Sequence, residues 1–349
     1  MKRWILAVIL AVSMALAAGQ LAGILGTTAA AETSIEAARV DGALPVTDVS
    51  AAAWDRATPV DVAISAQNAV APIRTTPSVP TLQVRVLANK THAAFLITWN
   101  DATKNNRTTR DQEFRDAVAI LYGPADATPF LCMGGPGKAL HVTQWKADWQ
   151  ADVEEGFRDL EHAYPNFWVD YYPGAIGGPP YHTPTSFLND SRLYLPGWKV
   201  GNPFSDPLKV TSVEEGVAEG FGTLATQESQ DAVGFGTYTG SSWKVIISRP
   251  LAGTDGDDVP ITDGTILAFA VWDGASGDVG GRKSVSSWTS LKMPGESGIL
   301  FWVATGLFLF LVMAVLVVLA TGRLRRKAEP ERAPDKKTVE VTKRDAPGK

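Results

Sequence analysis

Cysteine is almost absent from this chain of 349 residues, which contains Cys132 alone. A single thiol cannot form an internal disulfide, and it cannot supply the ligands of an iron–sulfur cluster or a thiolate zinc site. The sequence also lacks a Cys-x-x-Cys-His motif, which excludes a covalently attached c-type haem. We expect Cys132 to be a small buried residue. Any cofactor must therefore be held through other side chains.

Signatures of hydrolysis and of nucleic-acid binding are also missing. The chain has no Gly-x-Ser-x-Gly turn and no His-Glu-x-x-His helix. The adjacent carboxylates Glu154-Glu155 and Asp257-Asp258 are expected to be solvated. The net charge is −5, and ten basic residues are concentrated in Thr321–Lys349, so the rest of the chain is strongly acidic. An acidic domain argues against binding to the nucleic-acid backbone.

The N-terminal segment Met1–Ala31 has the pattern of a secretory signal peptide. Lys2 and Arg3 give a basic start, an apolar run follows, and three alanines precede Glu32. This pattern predicts export and cleavage after residue 31. Because the apolar run is long for a signal peptide, an uncleaved N-terminal anchor is the alternative.

A second apolar segment, Ile299–Ala320, contains no charged residue. Its length is that of a helix crossing a bilayer, which needs about 20 apolar residues. The basic cluster Arg323–Lys327 follows and is expected to stay cytoplasmic. The sequence thus predicts a single-pass protein of the cell membrane. Its main domain, 32–298, would lie on the periplasmic or extracellular face, and 321–349 would form a disordered basic tail.

The domain at 32–298 contains many short apolar runs bounded by Gly, Pro, Asn and Asp. Thr81–Leu87 alternates apolar and polar residues, whereas Ala93–Trp99 is more continuously apolar. These patterns predict an all-β fold, an antiparallel β-sandwich. Ser212–Glu219 is interpreted as a short turn. The other predicted strands are Asp61–Ile64, Ala117–Tyr122, Gly234–Tyr238, Trp243–Arg249 and Thr265–Trp272.

The segment Lys138–Asn202 differs in composition from the rest of the domain. It is rich in aromatic residues, Pro and Gly, and it holds His141, His162 and His182, three of the four histidines. This composition predicts a long loop insertion packed over one face of the sandwich. The aromatic side chains would either cover the sheet or contact a ligand or partner, and the sequence favours neither interpretation.

A glycine-containing turn, Thr128–Gly137, precedes this insertion. It brings together Phe130, Met133 and Gly134, and glycine lets a backbone approach a flat ligand closely. Met133 is therefore a candidate ligand of a haem iron. A methionine considered alone is more often a flexible filler of the core.

Several segments in a fixed order give the chain a resemblance to a known family. It resembles the haem b (gamma) subunits of type II dimethyl-sulfoxide-reductase-family molybdoenzymes. These enzymes include ethylbenzene dehydrogenase, dimethyl-sulfide dehydrogenase, chlorate reductase, selenate reductase and externally facing nitrate reductases. The resemblance covers roughly Val40–Leu291, and its segments are Asp41-Gly42, Ala53-Trp54, Val84–Leu87, Phe95–Thr103, Phe130–Gly134, Gly220–Leu224, Trp243–Val245, Arg249–Leu251, Phe269–Gly274 and Arg282–Ser286.

The resemblance implies a β-sandwich that holds one haem b between a methionine and a lysine. Carried over, the axial ligands fall on Met133 and on Lys283, which lies in a glycine-rich stretch. Lys244, inside a predicted strand, is the rival lysine. A His–Met pair that uses His141 is the alternative ligand set, because histidine is an ordinary haem ligand.

The same resemblance implies a non-catalytic electron-transfer subunit. It would pass electrons between a membrane cytochrome or soluble carrier and an iron–sulfur subunit, which connects to a molybdopterin catalytic subunit. The C-terminal anchor departs from the soluble form of the family and favours a respiratory, nitrate-reductase-like complex. The alternative from another class is an exported, membrane-tethered carbohydrate-binding β-sandwich without haem, whose aromatic rings would stack on sugars.

Overall fold

The computed structural model describes residues 34–125, 133–135, 137–158, 160–164, 166, 196–295, 307–312 and 314–316. The chain forms two compact units, Met1–Pro294 and Gly295–Lys349. The predicted signal peptide, Cys132 and residues 167–195 of the aromatic-rich segment lie outside the described residues.

The described part of the first unit is mostly antiparallel β-sheet arranged as a sandwich, as the sequence predicts. Its strands are β1 (Ser34–Arg39), β2 (Val60–Ala66), β3 (Thr81–Ala88), β4 (His92–Asn100), β5 (Ala117–Gly123), β6 (Leu140–Lys146), β7 (Val213–Ala218), β8 (Ala225–Thr226), β9 (Val233–Tyr238), β10 (Ser242–Pro250), β11 (Ile266–Trp272), β12 (Ser284–Ser286) and β13 (Thr289–Lys292).

Hydrogen bonds join these strands in the order β8-β7-β6-β5-β11-β12-β2-β3-β4-β10-β9. Every neighbouring pair on this path is antiparallel. Strand β1 differs, since it pairs in parallel with both β13 and β3. No hairpin connects β1 to either partner, so nothing forces it into the antiparallel direction.

Two layers enclose the main core through alternate residues of their strands. On β4, Ile97 and Trp99 face the core, whereas Leu96 packs in a separate cluster on the outer face. Trp145 on β6 and Trp243 on β10 bring the layers together, with ring centroids 5.0 Å apart. An aromatic pair in such an edge-to-face arrangement adds about 0.5–1.5 kcal/mol beyond the burial of its area.

The seven strands predicted from apolar patterns are all present, whereas the interpretation of the middle of the chain is wrong in two places. The sequence predicts a loop insertion that includes Leu140–Lys146, but this segment forms β6 between β5 and β7. Its alternation is hard to see because the inward face includes the polar residues His141 and Thr143 together with Trp145. Ser212–Glu219 is likewise not a turn, since Val213–Ala218 forms β7.

Short helices follow β6. Helix α1 (Ala147–Glu155) begins directly after the strand and ends at Gly156, whose φ is +89°. Helices α2 (Leu160–Ala163) and α3 (Pro196–Lys199) are single turns. The buried Lys146 places its ammonium 3.9 Å from the ring centroid of Trp149 and 4.1 Å from that of Phe204. Trp149 and Phe204 in this region thus pack against the Lys146 ammonium group.

In the second unit, the described residues 307–312 and 314–316 are helical and exposed. Within the described ranges, no helix combines the length and apolar character needed to span a membrane. The transmembrane helix predicted at 299–320 stays a prediction.

Candidate functional site

Met133 and Lys283 meet in the folded chain although 150 positions separate them in sequence. Lys283 Nζ lies 3.8 Å from Met133 Sδ. Both side chains are half-buried. Met133 lies before β6 and Lys283 lies immediately before β12, so the contact arises from tertiary structure. It joins two residues that the resemblance assigns as axial ligands.

A tight turn holds Met133 in place. The next residue, Gly134, has a φ of +88°, and a Cβ atom there would come within 2.7 Å of Ala218 O and 2.8 Å of Lys138 O. Gly135 and Lys138 then exchange backbone hydrogen bonds of 3.3 and 2.8 Å before the chain enters β6. Glycine is required at position 134 both for its backbone conformation and for space.

The loop that carries Lys283 is also anchored. Val279 and Arg282 exchange backbone hydrogen bonds of 3.0 and 2.9 Å around the glycine pair between them. The backbone N–H of Gln67 donates to Lys283 O at 3.1 Å, and its side-chain Nε2 donates to Gly281 O at 2.7 Å. Strand β12 continues directly from Lys283. The lysine backbone is therefore fixed on both sides.

Burial changes the acid–base chemistry of Lys283. Loss of hydration lowers the pKa of its ammonium from 10.5 to about 8. In the described ranges no carboxylate forms an ion pair with this side chain. Near neutral pH, a larger fraction of Lys283 is therefore in the neutral amine form than for an ordinary lysine. The neutral amine has a lone pair available for a metal.

Small apolar side chains surround Met133. The methionine packs against a cluster on the outer face of the layer that contains β5, β6, β7 and β11. Alanine dominates this cluster, so small, buried apolar side chains lie beside the sulfur. The cluster comprises Ala117, Ala119, Val142, Ala218 and Trp272, with Leu121 and Ala270 partly buried at its edge.

The types of donor atom suit haem iron, since a thioether is a known haem ligand and a neutral amine has a free lone pair. Sδ and Nζ are in direct contact at 3.8 Å, so the two side chains would have to move apart to admit a metal. The flexible thioether side chain of Met133 can supply that movement. With these residues holding it, a haem group would supply one-electron redox chemistry.

Lys244, the rival lysine, lies elsewhere in the sandwich. It is on β10 between Trp243 and Val245, which both face the main core. Lys244 consequently points to the outer face together with Ile246, which belongs to the cluster that contains Trp54. That face belongs to the layer opposite the Met133 cluster, so the fold does not bring Lys244 to Met133.

His141 is also directed away from Met133. It faces the interior, where Nδ1 lies 2.8 Å from Asp258 Oδ1 and Nε2 lies 3.2 Å from Glu215 Oε1. Arg249 Nη2 lies 3.3 Å from the same Asp258 oxygen. Both imidazole nitrogens thus face carboxylates in a buried ionic cluster. The expectation that Asp258 is solvated is wrong, because this cluster leaves its side chain only 6% exposed.

Sequence reasoning missed a second gathering of polar residues. Asp101, Asp116 and Asp273 bring carboxylate oxygens within 4.8 Å of one another. The available signal was their position, since each aspartate flanks a strand. Asp101 follows β4, Asp116 precedes β5 and Asp273 follows β11.

The described part of the chain is a mostly antiparallel β-sandwich in which a thioether and an amine from distant parts of the sequence come into contact. Comparison with known families agrees with the resemblance drawn from the sequence. The ethylbenzene dehydrogenase family profile matches residues 51–284, and the chain belongs to that family.

Individual relatives are more distant. The ORF7 protein of Haloferax mediterranei, whose name describes a respiratory nitrate reductase heme subunit, is 24% identical over 276 residues, and the match covers 76% of each chain. Among solved structures, a family 9 carbohydrate-binding module from Caldicellulosiruptor kristjanssonii in complex with glucose matches 76% of this chain and 97% of its own, with 9% identity and a TM-score of 0.33.

A second structure, described as a carbohydrate-binding protein from Bacteroides uniformis, matches 76% of this chain and 100% of its own. Its identity is 8% and its TM-score is 0.39.

Proposed function

We propose that this chain is a membrane-anchored b-type cytochrome subunit that transfers electrons within a molybdoenzyme complex. Haem b would be held non-covalently, with Met133 and Lys283 as the axial ligands. The observation that carries the proposal is the 3.8 Å contact between Met133 Sδ and Lys283 Nζ. Membership of the ethylbenzene dehydrogenase family supports it independently.

The chemistry of the two side chains suits iron in an apolar site. Met133 offers a soft, neutral sulfur, a ligand type that raises the reduction potential of haem iron. Lys283 offers a nitrogen that binds only after it has lost its proton. With a pKa of about 8, about one Lys283 amine in ten is already neutral at pH 7. The proton that remains leaves on metal binding, as it does for other ligands that must be deprotonated.

Because Met133 and Lys283 would both hold the iron, a substrate would not be expected to bind it. The haem group would supply one-electron redox chemistry, and the protein would control its potential and its access to water. Substrate conversion would belong to another subunit. The chain is therefore proposed to act as a non-catalytic electron carrier.

The proposed partners are an iron–sulfur subunit, a molybdopterin catalytic subunit, and a membrane cytochrome or soluble carrier. The nitrate-reductase description of the Haloferax mediterranei relative favours a respiratory complex of that type. The apolar segment Ile299–Ala320 and the basic residues after it support membrane attachment with the sandwich on the extracytoplasmic side.

The absorption spectrum of the purified full-length chain tests this function. After expression with ample haem supply, the protein should show a reduced b-type spectrum, and acidified organic solvent should extract the haem because no covalent bond holds it. A colourless chain would contradict the proposal. If that chain bound soluble oligosaccharides, the carbohydrate-binding alternative would replace it.

A further inference from the structure

Three aspartates gather where the two layers of the sandwich approach each other. Asp101 extends from β4 in one layer, whereas Asp116 and Asp273 flank β5 and β11 in the other. Asp101 is 8% exposed and Asp116 is fully buried. Their carboxylate oxygens lie within 4.8 Å of one another. Three negative groups at this separation need protons or a cation to coexist.

Asp116 is held rigidly by groups from both layers. Its Oδ2 accepts hydrogen bonds from the indole Nε1 of Trp243 at 2.9 Å and from the backbone N–H of Asn105 at 2.7 Å. Its Oδ1 accepts one from the backbone N–H of Gly274 at 2.9 Å. These neutral donors fix the carboxylate position but do not cancel its charge.

Asp101 has an oxygen with no hydrogen-bond partner. Its Oδ1 accepts from the backbone N–H of Thr103 at 3.0 Å, while the buried Oδ2 has no partner. The indole N–H of Trp99 acts on the Asp101 carboxyl group and lowers its pKa, but the two buried atoms do not meet in hydrogen-bonding geometry. An unpaired buried carboxylate oxygen is costly unless something binds it.

The cluster also lacks positive charge. In the part of the chain that the structure describes, no Lys, Arg or His side chain forms an ion pair with Asp101, Asp116 or Asp273. Burial, with repulsion by Asp273, raises the pKa of Asp101. Burial, with repulsion by Asp101, raises the pKa of Asp116 to about 7. Other buried carboxylates of this protein, such as Asp258, have a guanidinium beside them.

We propose that Asp101, Asp116 and Asp273 bind a divalent cation, and that calcium is the preferred ion. The three carboxylates are hard oxygen donors, which suit Ca²⁺ and Mg²⁺ more than metals that favour nitrogen or sulfur. Neutral oxygens are adjacent: Thr103 Oγ1 lies 2.7 Å from Asn105 Oδ1 and 3.3 Å from Asp101 Oδ1. Ca²⁺ accommodates six to eight oxygens in flexible geometry, whereas Mg²⁺ demands a near-ideal octahedron.

Binding would join the two layers of the sandwich. The cation connects the end of β4 with the start of β5 and the end of β11, three strands that are distant in sequence. Because the three carboxylates are together only in the folded chain, the ion binds the native state in preference to the unfolded one. Calcium should therefore raise the melting temperature of the protein.

The test is thermal unfolding of the purified full-length chain after treatment with EDTA, followed by additions of CaCl₂ or MgCl₂. We expect saturating calcium to raise Tm by about 5 °C or more, and magnesium to raise it less. Asp101→Asn and Asp273→Asn keep the side-chain shape, and both should abolish the calcium shift. Asp41→Asn, at a side chain that is 84% exposed, should leave the shift intact.

Two outcomes would overturn the proposal. If neither ion moves the Tm of the unsubstituted chain, the aspartates share protons instead, and Asp101→Asn should then increase stability without any cation. If calcium raises Tm equally in all variants, the ion binds elsewhere. Calorimetric titration of the unsubstituted chain with CaCl₂ measures binding directly, so a titration without binding overturns the proposal even if a variant fails to fold. The haem spectrum is not involved in either readout.

Discussion

The amino group of Lys283 lies 5.0 Å from the centre of the Trp272 ring. The same tryptophan donates a hydrogen bond from its indole Nε1 to Gly280 O at 3.1 Å, in the loop that carries the lysine. Trp272 thus contacts the lysine side chain and fixes its backbone at the same time. It is a positioning residue for the proposed haem ligand.

Replacing Trp272 by Phe keeps an aromatic ring at this position but removes the hydrogen bond to the loop. A lost hydrogen bond of this kind costs about 1 kcal/mol. We expect haem affinity to fall several-fold, with the absorption maxima retained, because both ligands remain. Haem titration of the haem-free variant measures the change. Unaltered affinity would show that the loop is held without the indole.

The pH dependence of stability should report the burial of Lys283 in the haem-free chain. The folded pKa is about 8 and the unfolded value is 10.5, so between these pH values the unfolded chain binds more protons. Stability should therefore rise with pH across this window. From pH 7.5 to 10 the contribution of Lys283 amounts to about 2 kcal/mol.

Lys283→Met is the matched variant for this measurement, since it removes the titrating group and keeps the apolar stem. Urea unfolding at several pH values should show a smaller rise in stability for the variant than for the unsubstituted chain. Lys146, whose pKa burial also lowers to about 8, contributes equally to both proteins and cancels in the difference. Parallel pH profiles would contradict the burial of the Lys283 amine.

Gly134 and Gly135 form a matched pair for testing the turn beside Met133. A side chain at Gly134 would be strained by its φ of +88° and would meet two carbonyl oxygens closer than 3 Å, whereas one at Gly135 would meet nothing within 4 Å. We expect Gly134→Ala to destabilise the protein by about 1–3 kcal/mol and to reduce haem retention. Gly135→Ala should change the unfolding free energy by about 0.5 kcal/mol at most. If the two variants had the same stability and the same haem retention, the turn at Gly134 would not be needed to position Met133.

His141 should matter for stability and not for haem ligation. His141→Gln removes a group that faces both Glu215 and Asp258 in the buried ionic cluster, and breaking such a cluster costs about 3–5 kcal/mol. The haem spectrum of folded His141→Gln should match that of the unsubstituted protein. His92→Gln, on the exposed start of β4, is the control for both readouts. A shifted haem spectrum in His141→Gln would instead favour His141 and Met133 as the ligand pair.

Much of the sandwich could be predicted because its strands alternate or run apolar between turn residues. β3 and β4 are predicted to within one residue of their observed ends. β6 could not be predicted from an apolar pattern, because its inward positions include His141. The burial of His141 depends on Glu215 and Asp258, which lie far away in the sequence. An apolar pattern cannot anticipate a polar residue that is buried by distant partners.

Less of the candidate site than of the fold could be predicted from residue patterns. The pairing of Met133 with Lys283 came from the resemblance, while residue types alone left Lys244 and His141 open. Which lysine meets the methionine is decided by the layer and the side of the sheet on which each one lies. The aspartate cluster was missed because Asp101 and Asp273, taken singly, look like ordinary residues at strand ends. Their proximity appears only when the two layers are assembled.

Whether Lys283 binds the haem iron is tested by comparing two lysines in the same protein. Lys283→Ala and Lys244→Ala each remove one amine, and both full-length variants can be examined for haem content and for oxidised and reduced absorption spectra. We expect Lys283→Ala to lose haem or to show a changed ligand-field spectrum, as Met133→Ala should, and Lys244→Ala to be indistinguishable from the unsubstituted chain. A normal spectrum in Lys283→Ala, or a changed one only in Lys244→Ala, would contradict this expectation.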